Sequence, residues 1–140
     1  MKDIVVDSCV LSLFGSRAAT PYKDFFIWLH KVGVLAVHRG LLTEYAQQKN
    51  REIAALIDTL TRSSRLNSID TKRMSKVRDD RHHKYTCNKQ DVDHARCVFL
   101  SSRKRLVSRD RKLRSAVITF GKCEGIKPTA VEVPDTGYYT

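Results

Sequence analysis

The chain has 140 residues, the size of one domain with little room for a second. Lys and Arg total 26 against 15 Asp and Glu, a formal charge of +11, and the 41% apolar content excludes a disordered chain. No apolar run approaches the roughly 18 residues of a membrane span. Met1-Lys2-Asp3 makes a poor secretory leader, and Cys9, Cys87, Cys97 and Cys123 form no CxxC pair, so the sequence predicts a cytoplasmic protein with reduced thiols.

Ile4-Val5-Val6 is a β-branched run bounded by Asp7 and Ser8, which predicts a buried strand with a polar carboxyl end. Val10, Leu11, Leu13 and Phe14 predict a short helix stopping at Gly15. Thr20-Pro21 has the pattern of a helix start, Thr as N-cap and Pro at the first helical position, with Phe25, Phe26, Trp28 and Leu29 on its apolar face and Gly33 at its end. Val34 to Val37 predicts a second buried strand, bounded by His38, Arg39 and Gly40. Leu41 to Gln48 reads as helix, and Ile53, Ala54, Leu56, Ile57 and Leu60 continue the helical spacing.

Leu66 to Ile69 has the character of a short strand. Residues 71–90 are polar and mostly basic without a clear period, the pattern of a mobile loop or frayed helix. Asp91 to Ser102 is helical, Leu106-Val107 is a short strand ending at Ser108-Arg109-Asp110, and Leu113, Val117 and Ile118 mark another helix. Thr129 to Val133 predicts the last strand and residues 134–140 a loose tail. Strands alternate with helices, so residues 1–133 are expected to form one α/β domain on a parallel sheet of short strands.

Ligands of open parallel sheets bind beyond the carboxyl ends of the strands. Asp7, Glu44 and Asp110 each follow a predicted strand, and Asp91 opens the helix that leads into the third of them. A cluster of carboxylates repels itself unless it is protonated or takes up a cation. Mg²⁺ or Mn²⁺ suits oxygen ligands, holds a phosphate and activates a water.

In these same residues the chain resembles PIN domains. Ile4-Val5-Val6-Asp7-Ser8 is similar to the opening strand of that family, Leu42-Thr43-Glu44-Tyr45 to its second acidic position, and Asp91-Val92-Asp93-His94-Ala95 to its third. Leu106-Val107-Ser108-Arg109-Asp110-Arg111-Lys112-Leu113 resembles its fourth. Cys9 departs from the pattern, standing where the family often has Asn or Ser. The resemblance covers about residues 4 to 133 and implies a three-layer, flavodoxin-like α/β/α sandwich. It also implies a metal-dependent nuclease, commonly acting on RNA and leaving 5′-phosphate and 3′-hydroxyl ends. By that resemblance Asp7, Glu44, Asp91 and Asp110 would hold Mg²⁺ or Mn²⁺ and catalyse. Ser8 and Ser108 would support the site, joined by His94. Asp93 competes with Asp91 for the third position, and the spacing to Asp110 favours Asp91. Small nucleases of this family often dimerise or pair with an antitoxin protein, and these residues do not decide between a toxin and an RNA-processing enzyme. A non-catalytic basic nucleic-acid-binding module of the same fold is the rival expectation.

From Arg103 to Arg114 the chain carries seven basic residues and one acid. Arg103, Lys104, Arg105, Arg109, Arg111, Lys112 and Arg114 are therefore candidates to grip a nucleic-acid backbone, beside the alternative of a solvated charged face. A second basic stretch, Lys72 to Lys89, carries Tyr85, which could stack on a base. His82, His83, Cys87, His94 and Cys97 fall within sixteen residues, and a zinc site of four of them is a further alternative, although the spacing matches no common zinc module.

Overall fold

The computed structural model describes residues 1–77 and 83–140, apart from the side chains of Arg17 and Ala18. Its centre is a five-stranded parallel sheet in the order β3-β2-β1-β4-β5, flanked by helices in a three-layer α/β/α sandwich. The strands are β1 (Asp3–Val6), β2 (Val34–Val37), β3 (Leu66–Ser68), β4 (Arg105–Val107) and β5 (Thr129–Val131). Ile4, Val5 and Val6 are fully buried, as are Leu35, Ala36, Val37, Leu106 and Val107. Such unbroken apolar runs belong to strands covered on both faces.

The helices are α1 (Ser8–Leu11), α2 (Lys23–Lys31), α3 (Arg39–Gln47), α4 (Arg51–Arg62), α5 (Thr71–Met74), α6 (Val92–Leu100), α7 (Arg111–Ile118) and α8 (Thr136–Tyr139). α2 packs on α4, and α6 packs on α7. Because parallel crossovers are right-handed, the first pair covers one face of the sheet and the second pair the other. α3 touches α1, α4 and α6 and so closes the carboxyl end of the sheet. No helix among the described residues is long and apolar enough to cross a membrane.

The strand order reverses between β1 and β4. Val5 pairs with Leu106 and Val6 with Val107, and the Asp7 amide extends that ladder by donating to the Val107 carbonyl at 3.0 Å. The Ser108 amide does the same toward Val131, also at 3.0 Å. Asp7 and Ser108 therefore emerge side by side at the switch point of the sheet.

Several expected boundaries move. Thr20 caps no helix: a 3₁₀ turn over Arg17–Tyr22 contains Pro21, and α2 begins only at Lys23. That turn carries the chain into α2. The helical spacing on either side of residue 50 belongs to two helices, separated where Lys49 takes a positive φ of 51° and Asn50 caps α4. α3 starts two residues early because the His38 imidazole caps it, a residue type that carries no usual N-cap signal. Between residues 71 and 90 the described part contains α5 and a 3₁₀ turn at Lys89–Asp91; residues 78–82 lie outside the described residues.

The last seven residues are not a loose tail. Pro134 is buried, the Asp135 carboxylate accepts from the Tyr138 amide at 2.8 Å, and α8 follows. Tyr139 is buried with its ring centroid 5.3 Å from that of Phe25 and 5.1 Å from that of Trp28. Burying an aromatic ring of this size is worth about 2 kcal/mol, which fixes the end of the chain to α2.

Candidate metal centre at the carboxyl edge

Asp7 caps α1 and is held from two sides. Its Oδ1 accepts from the Ser8 amide at 2.8 Å, and its Oδ2 accepts from Ser108 Oγ at 2.7 Å and from Cys9 Sγ at 3.3 Å. Cys9 thus occupies a donor position that a hydroxyl or amide would fill. Burial, and then the charge of Asp7, push its thiol up to about 11, so it remains a protonated donor rather than a reactive thiolate.

Ser8 reaches across to α3, donating from Oγ to Glu44 Oε1 at 2.8 Å. Ser108 turns the chain toward α7: its Oγ accepts from the Asp110 amide at 3.0 Å while donating to Asp7. Asp110 caps α7, its Oδ1 accepting from the Lys112 and Leu113 amides at 2.9 and 3.3 Å. Tyr45, one residue beyond Glu44, is buried and donates its hydroxyl to the Val6 carbonyl, tying α3 to the end of β1.

Asp91 enters from the start of α6, with Oδ1 3.7 Å from His94 Nε2. Its carboxyl is held above the usual range, first by burial and then by the charges of Asp7, Asp110 and Glu44, against the opposing pull of His94. Asp91 therefore feels the charges of the other three expected acids. Asp93, two residues on, is exposed and pairs with Arg96 at 3.3 Å. Of the two competing positions, Asp91 faces the acids.

His94 is buried on α6 and bonds on both sides. Its Nε2 lies 2.5 Å from Glu44 Oε2, and its Nδ1 lies 2.7 Å from Nε2 of the buried His38. The proton positions follow from the far end of this chain. The Gly40 amide can only donate, and it donates to His38 Nδ1 at 3.1 Å. His38 Nδ1 is therefore unprotonated, so its proton sits on Nε2 and is donated to His94 Nδ1. His94 then carries its proton on Nε2 and donates it to Glu44. Burial, and then the proximity of His94, hold His38 down at about 4, which keeps its ring neutral. Gly40 is required for this geometry: a Cβ there would meet His38 Cε1 at 2.6 Å. His38 was only a strand boundary in the sequence, and no spacing rule connects it to His94, 56 residues away.

One oxygen of Asp7, one of Glu44 and one of His94's nitrogens form a group within 4.8 Å of one another. The hydrogen-bond pattern removes the imidazole from that group as a ligand, because its Nε2 bears the proton. What remains of that group is the carboxylate pair Asp7 and Glu44, with Asp91 beside His94 and Asp110 joined to the site through Ser108, oxygen donors of the kind that hard divalent cations take. The residues fit Mg²⁺ or Mn²⁺. Among the described residues no Lys or Arg pairs with these four acids; the Lys and Arg pairs are Arg62–Asp58, Arg96–Asp93 and Lys104–Glu124.

Among the described residues the zinc alternative does not assemble. His83 bonds the Ala116 carbonyl at 2.7 Å, Cys97 is fully buried in the core, His94 is committed as above, and His82 lies outside the described residues. Tyr85 is half-buried, edge-on to His83 with centroids 4.7 Å apart and with the Arg96 guanidinium 5.9 Å from its ring, rather than projecting as a stacking arm.

The basic run divides into two groups. Arg109, Arg111 and Lys112 are exposed around Asp110, and Arg114 donates to the Ser108 carbonyl at 2.8 Å. Arg103, Lys104 and Arg105 lie at the opposite, amino end of β4 and serve the fold. Arg103 donates to the Asp3 and Tyr139 carbonyls at 2.9 and 2.8 Å, and Arg105 donates to Tyr138 at 2.5 Å. Lys104 is buried, donating to the Ser101 carbonyl at 2.9 Å. These three residues of the expected nucleic-acid grip thus lie at the edge away from Asp7 and Asp110, with donors bonded to backbone carbonyls.

Compared with protein-family models, curated proteins and solved structures, the chain shows no significant match.

Proposed function

We propose that this chain is a PIN-like, metal-dependent nuclease that hydrolyses phosphodiester bonds, with RNA as its substrate. The observation that carries this reading is the convergence of Asp7, Glu44, Asp91 and Asp110 on the switch point of a parallel sheet. They come from four separate segments and have no Lys or Arg partner among the described residues. Stability alone gives no reason to crowd four acids in this way.

Asp7, Glu44, Asp91 and Asp110 would hold Mg²⁺ or Mn²⁺. Such an ion supplies charge at the scissile phosphate and acidifies a bound water. The chain's own residues do the positioning. Ser108 and Cys9 fix the Asp7 carboxylate, while Ser8 and His94 hold the two oxygens of Glu44. Arg109, Arg111 and Lys112, exposed beside Asp110, offset the acids' repulsion of an incoming phosphodiester backbone. No side chain of the site is a nucleophile in this scheme; Cys9, the obvious candidate, is held protonated.

The test is cleavage of a mixed single-stranded RNA pool by the purified protein with Mg²⁺ or Mn²⁺, repeated after chelation. Cleavage lost on chelation and restored by Mn²⁺ is the expected result. Salt-sensitive RNA binding without cleavage would replace the nuclease by a binding module of the same fold.

A further inference from the structure

We propose that His38 acts as a positioning residue that keeps His94 out of the metal's ligand shell, so that the centre is built of carboxylate oxygens and discriminates against Zn²⁺. This rests on the reading that the four acids hold a divalent cation, and it concerns which cation they hold.

A neutral imidazole binds a metal through a nitrogen that bears no proton, and its other N–H usually donates outward to a carbonyl or carboxylate. At His94 that arrangement is reversed. The nitrogen facing Glu44 bears the proton, and the nitrogen facing away accepts one from His38. For His94 to ligate through Nε2, its proton would have to move to Nδ1, where His38 already donates. His38 would in turn have to place its proton on Nδ1, against the Gly40 amide. That amide cannot reverse, and the His38 ring is buried with both of its nitrogens bonded. The backbone of α3 therefore dictates, through two imidazoles, the donor role of His94 toward Glu44.

The consequence is chemical selectivity. Zn²⁺ favours sites containing imidazole or thiolate, whereas Mg²⁺ and Mn²⁺ suit carboxylate and water. Among the described residues, His94 is the soft donor whose ligand atom groups with those of Asp7 and Glu44, and it is committed as a donor, while Cys9 donates to Asp7. A site one proton shift away from a His-carboxylate zinc centre is thus held as an oxygen site.

The wild-type protein alone tests the proton positions. Nitrogen-15 NMR of the metal-free chain is expected to show His94 Nε2 protonated and Nδ1 bare; the opposite tautomer would overturn the proposal. Calorimetric titration with Zn²⁺ and with Mn²⁺ then reads the selectivity. His38→Phe removes both the donor to His94 and the acceptor for Gly40, and should raise the Zn²⁺-to-Mn²⁺ affinity ratio about tenfold or more. His38→Gln, whose amide both donates and accepts, should restore the wild-type ratio. An unchanged ratio in His38→Phe would overturn the inference. Absence of Mn²⁺ binding by the wild type would sink both this and the metal reading. Mn²⁺ binding with the expected ratios but no RNA cleavage would remove the nuclease and leave this inference supported.

Discussion

β1 begins with one buried aspartate and is followed at once by another, and the two ends of the strand treat their charge differently. At the amino end, Asp3 accepts from the Asn67 amide group at 2.8 Å and from the Ser102 and Arg103 backbone amides at 2.8 and 2.9 Å. Around it Arg103, Lys104 and Arg105 donate to carbonyls of α8 and of the α6–β4 turn. Positive and negative groups there are matched by partners within the chain, and the region is a clamp that joins β1, β3, β4 and α8. At the carboxyl end, Asp7 is equally well oriented, but Glu44 stands close to it and Asp91 feels the charges of Asp7, Glu44 and Asp110, with no Lys or Arg partner among the described residues. Matched charge at the first end serves the fold; like charge gathered at the second is what the proposed cation would neutralise.

Exchanging the two aspartates for neutral residues should separate these roles most widely. Asp7→Asn is expected to reduce RNA cleavage on the order of a thousandfold or more. Its melting temperature without metal should be unchanged or raised, because one member of a repelling cluster is gone. Asp3→Ala should do the reverse. Three donors lose their acceptor in a dry site, a loss of about 3 kcal/mol or more, read by urea denaturation. If Asp7→Asn cleaves at the wild-type rate, or if Asp3→Ala leaves the denaturation midpoint in place, the contrast between the edges fails.

The basic run offers the next sharpest contrast. Arg109, Arg111 and Lys112 replaced together by Ala should flatten the salt dependence of RNA binding by about 2 log units per tenfold salt, at roughly 0.7 per phosphate contact. Arg103 and Arg105 replaced together should leave that slope unchanged and lower stability by about 2 kcal/mol, because the α8 carbonyls lose charged donors. Fluorescence anisotropy at several salt concentrations, together with thermal melting, distinguishes the two outcomes. An equal loss of slope in both variants would restore the basic run to a single function.

These contrasts mark what was legible in the sequence. β1, β2 and β4 announced themselves through β-branched runs, and the four acids through their place after strands or at a helix start. Their spacing singled out Asp91, and Asp93 indeed faces Arg96 instead. The direction in which the basic side chains point was not legible. Arg103 and Arg109 are six residues apart in one charge run, yet a three-residue strand lies between them, so they fall on opposite edges of the sheet. His38 was hidden because its partners are a backbone amide and a residue far along the chain. The docking of α8 was hidden because Pro134 to Thr140 is polar and short, and only the position of Phe25 and Trp28 gives Tyr139 a place to bury.

The smallest expected effect concerns Asp91 and carries a sign. Its carboxyl is held above the usual range in the folded chain, first by burial and then by Asp7, Asp110 and Glu44. The folded state therefore binds that proton more tightly than the unfolded state, and stability is lost as pH rises from the ordinary carboxylate range through the raised value. Above it the penalty is fully present. Asp91→Asn removes an ionisable group from the cluster, so without metal it should melt slightly above wild type at neutral pH, and the gap should close as the solution is acidified. Asp93→Asn loses only an exposed pair with Arg96 and should show no such pH-dependent gain. Added Mn²⁺ should reverse the order, because the ion stabilises the ionised carboxylate of the wild type and finds one ligand fewer in Asp91→Asn. Melting curves of the three proteins across the acid range, with and without Mn²⁺, check this directly. A gap that ignores pH, or one that Asp93→Asn shares, would mean that Asp91 does not feel the other three acids.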